Sequence, residues 1–428
     1  MAPFLAKGWF MKSDYDVAVI GGGPAGLFAA GFAAGQGARV VLLEKNARCG
    51  AKLLITGKGR CNITNNEADP RRLVENFGRQ GKALLTALYA FGVEDVLDFF
   101  EQRGLALQVE RGGRVFPARG GAAAVLKVLE QFVKQAGVEL RAGCAVTGVT
   151  RDDDGRLSVA TSRGKIGAAA VVVATGGLSY PQTGSSGDGY RWAQQLGHRL
   201  VTPQPALVPL KLKEAWTDQV CDFNLKNVRI SLLVDGQVRC ERFGEAFFTR
   251  NGIGGPIVLD LSTEVRPVLN KAHIELSLDL KPAVERDTFD RRLQRELTEH
   301  SNRDFRNSLA GLLPRALIPI FLNLSGIDPF KKCHSVSREE RLRLLGLFKD
   351  LRLTVTGCEG FGKAIITTGG LALPDLDMRT MASKRVEGLF VAGELIDLDG
   401  PTGGYNLQLC WSTGYLAGIE AAKWGLSG

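Results

Sequence analysis

Gly21-Gly22-Gly23-Pro24-Ala25-Gly26 stands between an apolar strand predicted over Tyr15–Ile20 and an Ala-rich helix predicted from about Pro24 to Gln36. Each glycine has a separate job in that setting. Gly21 permits the tight turn, Gly23 lets a pyrophosphate approach the backbone, and Gly26 lets helix and strand pack closely. Pro24 and Ala25 open the helix, whose free N–H groups and positive dipole end attract phosphate. A second predicted strand, Arg39–Leu43, ends on Glu44, 18 residues beyond Gly26. A carboxylate there binds the hydroxyls of an adenosine ribose, and an acid rather than an arginine disfavours a 2′-phosphate. FAD or NAD therefore fits better than NADP. No second strand–turn–helix of this kind is expected, because no following helix is read from the sequence after the runs Gly252–Gly255 and Gly357–Gly362. A single dinucleotide fold predicts a tightly held FAD, with NAD(P)H as a reductant that comes and goes.

Three further clusters point to the same ligand. Lys52, Thr56, Lys58, Gly59, Arg60, Cys61 and Asn62 follow Glu44 and would run back along the cofactor toward its reactive ring. Small residues admit the backbone there, and Lys58 and Arg60 could balance pyrophosphate or reduced-flavin charge. Cys61 reads either as a proton donor made acidic by nearby cations or as a small packing residue. Ala174-Thr175-Gly176 ends an apolar run and brings backbone against the nucleotide. Asp188, within Gly187-Asp188-Gly189, reads either as a group beside the ring or as a plain helix cap. Gly393-Glu394 follows a buried strand at Leu389–Ala392 and would deliver Glu394 to the ribityl chain and phosphates. Thr402, Gly403, Gly404, Tyr405 and Asn406 open a closing helix whose dipole would stabilise negative charge on a reduced flavin.

These residues need a scaffold, and the rest of the chain supplies one. Ala169–Ala174 is apolar throughout, the mark of a central parallel strand covered on both faces. Helical periodicity falls at Leu73–Phe77, Ala83–Phe100 and Ala122–Gln135, and a hairpin is predicted at Val146–Thr150 and Leu157–Thr161 around Asp154-Gly155. From about Pro203 to Leu280 the pattern turns to short alternating strands, such as Val228–Val234 and Gln237–Phe243 around Asp235-Gly236. Residues 281–350 read as helical, with 14 Lys and Arg against 10 Asp and Glu. Strand character returns at Leu353–Thr356 and Lys363–Thr368, and a helix closes the chain from about Tyr405 to Trp424. The expected organisation is α/β. A Rossmann-like FAD-binding domain in two parts, 12–200 and 363–428, is interrupted by a β-rich insert, 201–280 completed by 351–362, and a helical insert, 281–350.

Composition bounds the function. Of 428 residues 45% are hydrophobic and 23% charged, ordinary for a globular chain and incompatible with intrinsic disorder. Glycine is the outlier at 53 of 428, about 12% against a usual ~7%. No apolar run approaches the ~18 residues of a membrane span; Ala168–Ala174 and Ala316–Leu324 are the longest. Residues 1–12 have too short an apolar core for a signal peptide, and Met11 opens the motif-bearing segment, so residues 1–10 read as an addition ahead of the native start. Eight cysteines without a CxxC pair indicate reduced thiols in a cytoplasmic protein. Four histidines without HxH or HxxxH spacing give no metal site. The net charge of +9 and pI near 9.2 favour acidic partners.

Taken together, GGGPAG with its distal Glu, LITGKGRCNITN, ATGGLSYPQTGSSGDG, GGLALPD with TMASK, and GLFVAGELIDLDGPTGGYNLQ resemble the YhiN/BaiN-like flavoprotein family. Its members are called NAD(P)/FAD-dependent oxidoreductases or aminoacetone oxidase family FAD-binding enzymes. The likeness runs over nearly the whole chain after Met11. More distantly, Ala174–Gly177 and Thr183–Gly189 look like the FAD domain of fumarate reductases and succinate dehydrogenases. The resemblance implies a β-barrel-like module and a small helical module inside the FAD domain. It also implies non-covalent FAD around Gly21–Gly26, Glu44, Lys45, Arg60, Ala174–Gly176, Gly393, Glu394, Thr402–Gly404 and Asn406. One departure stands out: the family pattern Phe-Thr-His-x-Gly-x-Ser-Gly-Pro is here Phe248-Thr249-Arg250-Asn251-Gly252-Ile253-Gly254-Gly255-Pro256.

The resemblance links this family to reduction of uridine to dihydrouridine in large-subunit ribosomal RNA, to bile-acid reduction, and by name to aminoacetone. The basic composition and the helical insert, with Arg291, Arg292, Arg295, Arg303, Arg306, Lys331 and Lys332, favour a uridine of 23S ribosomal RNA. Such a reduction adds a hydride at C6 of the uracil and a proton at C5, for which Cys61 and Asp188 are the candidate donors. The alternatives are a small unsaturated metabolite as substrate, or a flavoprotein without turnover.

Overall fold

The computed structural model describes residues 14–151 and 156–427. The expectation about residues 1–10 and the turn at Asp154-Gly155 lie outside them. The chain divides into two compact units, one running up to Pro205 and resuming at Ile366, the other spanning Ala206–Ile365.

In the first unit, β1 (Tyr15–Ile20), α1 (Pro24–Gly35) and β2 (Val40–Glu44) form a parallel strand–helix–strand turn. Two short strands, β3 (Thr64–Asn65) and β4 (Leu107–Glu110), join β5 (Arg114–Pro117) in a separate three-stranded sheet. The main sheet continues with β6 (Glu139–Ala142), the hairpin β7 (Val146–Arg151) and β8 (Leu157–Thr161), and β9 (Gly164–Val173). Its parallel core runs Leu389–Val391, β9, β1, β2, β6. Val171, Val172 and Val173 on β9 are buried between two parallel neighbours, as an unbroken apolar run requires.

Helix α1 is buried along nearly its whole length, so it carries no polar face. It packs backbone to backbone on the closing helix, Tyr405–Ser427. A Cβ on Gly414 would stand 2.5 Å from the Ala25 carbonyl oxygen, and one on Gly418 2.4 Å from that of Ala29. Phe28 reaches Trp411 across this contact, with ring centres 4.7 Å apart. The expected helix over Ala83–Phe100 is in fact two, Leu85–Ala90 and Val93–Glu101, because the chain turns at Phe91-Gly92. Asp95 then accepts the Gly92 N–H and starts the second helix.

The second unit is a closed antiparallel barrel of six strands, including Asn224–Val234, Gln237–Thr249 and Leu351–Cys358. Asp235 and Gly236 both have positive φ, which suits the two-residue turn of the long hairpin. Helices Arg286–Glu299, Ile318–Ser325 and Arg338–Lys349 share one apolar core with the barrel, where the Phe348 ring meets Phe289 and Phe321.

Candidate cofactor site

Four parallel strands end along one edge of the main sheet, and their C-terminal turns line an open crevice of about 840 Å³. In order these turns are Glu44-Lys45-Asn46 after β2, Gly21–Ala25 after β1, Ala174–Gly176 after β9, and Gly393-Glu394 after Leu389–Val391. Three strand spacings separate the first turn from the last, roughly 14 Å, the reach of an extended dinucleotide.

The glycine motif folds for the reasons its spacing gave. A Cβ on Gly26 would stand 1.8 Å from the Gly21 carbonyl oxygen, so α1 can approach the turn only without a side chain there. A Cβ on Gly23 would meet nothing within 4 Å. Gly23 caps α1 with no side-chain acceptor, and Pro24 follows, so the first-turn N–H groups keep their capacity for an anion. Glu44 is buried, its Oε2 accepting the Gly22 N–H at 2.7 Å and its Oε1 the Asn46 N–H at 2.7 Å.

At the opposite end Glu394 is held from three sides. Lys52 Nζ lies 2.6 Å from Oε2, and Oε1 accepts from Ser179 Oγ at 2.8 Å and the Thr367 N–H at 2.7 Å. Asp188 is the first residue of the helix Asp188–Gln195, with Gly187 before it as the cap, so its carboxylate is not the helix cap. It takes bonds from Lys45 at 2.8 Å, Ser186 at 2.8 Å and Arg191 at 2.6 Å. Burial works against its charge, but the bonds and charge of Lys45, with Ser186 and Arg191, hold its carboxyl below the ordinary range.

Among the described residues, three buried side-chain polar atoms have no hydrogen-bond partner: Asn62 Oδ1, Thr175 Oγ1 and Trp192 Nε1. Thr175 and Trp192 line the crevice. Orphaned donors there, an uncapped helix start and a bare Gly23 fit a bound dinucleotide.

The remaining expected site residues lie away from the crevice lining. Gly57, Lys58, Gly59 and Cys61 are all left-handed, so the loop is tightly coiled. Thr56 closes it by accepting the Gly59 and Cys61 N–H groups, and Gly59 O accepts the Ala122 N–H. Arg60 turns outward: its guanidinium lies 4.2 Å from the Phe116 ring centre and pairs with Glu110. Cys61 is fully buried, and burial pushes its thiol up to about 12, opposite to the acidifying effect expected of nearby cations. Gly404 has positive φ, and a Cβ there would stand 2.3 Å from the Thr64 carbonyl carbon. Gly403 O accepts from Asn65 Nδ2 at 3.3 Å, and Tyr405 packs on Phe77. Asn406 folds back on the loop, donating to Gly400 O and Pro401 O.

Several lining residues were not read from the sequence. Trp192 follows Asp188 by one helical turn, a spacing that placed it on the same face. Asn46, Cys144 and Cys410 also line the crevice. Ser179 and Thr367, which hold Glu394, lie 188 residues apart in sequence, and no local signal joins them.

Comparison with known proteins identifies the family. A family profile described as "HI0933-like protein Rossmann domain" matches residues 15–420. The chain is 32% identical to a 3-dehydro-bile acid delta(4,6)-reductase of Clostridium scindens, over 95% of this chain and 99% of that one. It is 30% identical to a ribosomal RNA dihydrouridine synthase of Escherichia coli, over 94% of this chain and 96% of that one. Among solved structures, 3-ketosteroid delta1-dehydrogenase from Sterolibacterium denitrificans shares the fold, at a TM-score of 0.54 and 13% identity over 96% of this chain and 99% of that one. The chain belongs to the HI0933-like family of FAD-binding, Rossmann-type oxidoreductases.

Proposed function

We propose that this flavoprotein, reduced by NAD(P)H in the cytoplasm, reduces a uridine of 23S ribosomal RNA to dihydrouridine. The observation that carries the reading is the likeness, over 94% of the chain, to a ribosomal RNA dihydrouridine synthase. A pI near 9.2 supports a polyanionic substrate. In this reading the redox domain comprises 12–200 and 363–428, with the β module at 201–280 and 351–362 and the helical module at 281–350.

The chain's own residues divide the work along the crevice. Glu44 takes the adenosine ribose, while Gly21–Gly23 and the start of α1 take the pyrophosphate. Thr175 offers its unpartnered hydroxyl to the same ligand, and Lys52 and Glu394 face the ribityl end. Were the flavin ring to lie beside the start of the helix Tyr405–Ser427, the positive pole there would stabilise negative charge on it. Bound FAD supplies the hydride. The proton needs a group that still carries one at neutral pH. Asp188 is held ionised, and Cys61 keeps its thiol proton but is buried away from the crevice, so neither is assigned as the donor.

A second reading has its own support, the 32% identity to a bile-acid delta(4,6)-reductase. The 5,6 double bond of uracil and an alkene conjugated to a 3-oxo group are the same kind of hydride acceptor, an electron-poor double bond beside a carbonyl. The deciding experiment is mass-spectrometric quantitation of dihydrouridine in purified 23S rRNA from cells with and without the gene, with complementation. Loss and restoration support the RNA reading. No change, in a strain whose rRNA carries the modification, refutes it in favour of a small-molecule reductase.

A further inference from the structure

Arg60 was expected to face the cofactor, and its outward turn places it in a different company. Its guanidinium and that of Arg114, at 4.2 and 5.9 Å from the ring centre, lie against the same Phe116 ring on the sheet β3-β5-β4. Lys58, Arg111 and Arg119 are exposed on the loop before β3, the β4–β5 turn and the segment after β5. Residues 58–60 and 107–119 thus carry five cations and one carboxylate, Glu110, which Arg60 holds. The next carboxylate beyond β3, Glu67, accepts the Asp69 N–H.

The helical module offers a weaker case. Its net charge of +4 is spread over 70 residues, and five of its fourteen cations pair with carboxylates: Lys331 with Glu340, Lys332 and Arg306 with Asp304, Arg341 with Asp290, and Lys349 with Asp279 of the barrel. The arginine face is also tied to the cofactor loops. Asn65 Nδ2 donates to Gly112 O in the β4–β5 turn at 3.0 Å and to Gly403 O at 3.3 Å, and Ala122 N donates to Gly59 O at 2.8 Å.

We propose that the arginine face of β3-β5-β4 docks the phosphate backbone of the RNA whose uridine is reduced; this rests on the RNA reading above. Four of its five cations are arginines, whose planar forks match phosphate oxygens in pairs. Arginine guanidiniums also suit single-stranded RNA, whose unpaired bases stack on guanidinium planes.

The test is filter binding of in vitro transcribed, unmodified 23S rRNA across salt from ~50 to ~200 mM, where phosphate contacts dominate the salt dependence. The proteins are the FAD-loaded native chain, Arg111→Gln/Arg119→Gln, and Arg291→Gln/Arg295→Gln. The first double variant should keep its flavin and bind on the order of tenfold more weakly, its slope of log K against log salt shallower by ~1.4–1.8. The second should match the native chain. If the double variant fails to fold, Arg119→Gln alone, on an exposed segment, should lower the slope by ~0.7–0.9. Loss in the helical variant with none in the arginine variant overturns this proposal and leaves the RNA reading intact. A native chain without salt-dependent binding overturns the RNA reading itself.

Discussion

Lys52 Nζ stands 2.6 Å from Glu394 Oε2, an ion pair closed across 342 residues of sequence. Both side chains line the crevice and are mostly shielded from water. Lys52→Met leaves the Glu394 carboxylate with Ser179 and the Thr367 N–H alone, its charge unbalanced at the ribityl end. FAD should bind about tenfold more weakly, or ~1.4 kcal/mol. Lys52→Arg should recover much of that loss. Flavin-fluorescence titration of the apoprotein checks both, and an unchanged Kd in Lys52→Met refutes the role.

Gly23 and Gly26 separate ligand binding from folding within one motif. A Cβ at Gly26 would meet the Gly21 carbonyl at 1.8 Å, so Gly26→Ala must push α1 off β1 and should lower Tm sharply even without flavin. A Cβ at Gly23 meets nothing within 4 Å, and φ there is −82°, so Gly23→Ala costs the apoprotein little. It should still fill the space meant for pyrophosphate and cut flavin retention at least tenfold. Calorimetry of the apoproteins and the flavin-to-protein ratio read the two effects separately. Full retention in Gly23→Ala would contradict a phosphate at that turn.

How much of this was legible depended on how local each determinant is. The β1–α1–β2 turn, the apolar β9 and the Asp235-Gly236 hairpin are local, set by side chains within a few residues, and their type shows in the sequence. The sequence around Arg60 could not show its contacts with Phe116 and Glu110, which lie on strands far along the chain. Cys61 was open between an acidic thiol and a small packing residue. Neighbouring cations in sequence suggested an acidic thiol, but the coiled loop folds it into the apolar interior, where burial outweighs their charge. Glu394 was found by its strand-end motif, while its partners Ser179 and Thr367 could be seen only once the sheet was assembled.

The Cys61 thiol, pushed up to about 12 by burial, keeps its proton throughout the working range. A thiolate is the species that alkylates, so iodoacetamide near pH 8 should modify exposed Cys221 well before Cys61. The proton-transfer step should show no inflection from this thiol between pH ~6 and ~9, since the group does not titrate there. Cys61→Ala should leave both single-turnover reduction of the substrate and flavin reduction by NAD(P)H within a few fold of the native chain, because a thiol buried in the apolar interior does not reach the substrate. A loss of about a hundredfold or more in Cys61→Ala, with flavin reduction intact, would instead place the thiol in the proton-transfer step.

Asp375 should contribute to the acid sensitivity of the fold. Its carboxylate is 1% exposed and accepts from the backbone N–H and guanidinium of Arg199 and from the guanidinium of Arg385. The Arg199 bonds above all hold it well below the ordinary carboxylate range, against the opposing effect of burial. A depressed folded-state value stabilises the protein above the unfolded aspartate value of ~3.9, and that contribution is lost as pH falls through the folded value. Stability should therefore decline below about pH 4, with Asp375 a principal contributor. Asp375→Asn removes the charge from buried, charge-assisted bonds and should cost about 2–3 kcal/mol near neutrality. It should also flatten the acid limb, because the remaining amide has nothing to protonate. Urea melts of both proteins across that range decide it: parallel pH profiles would mean that the acid sensitivity comes from other carboxylates.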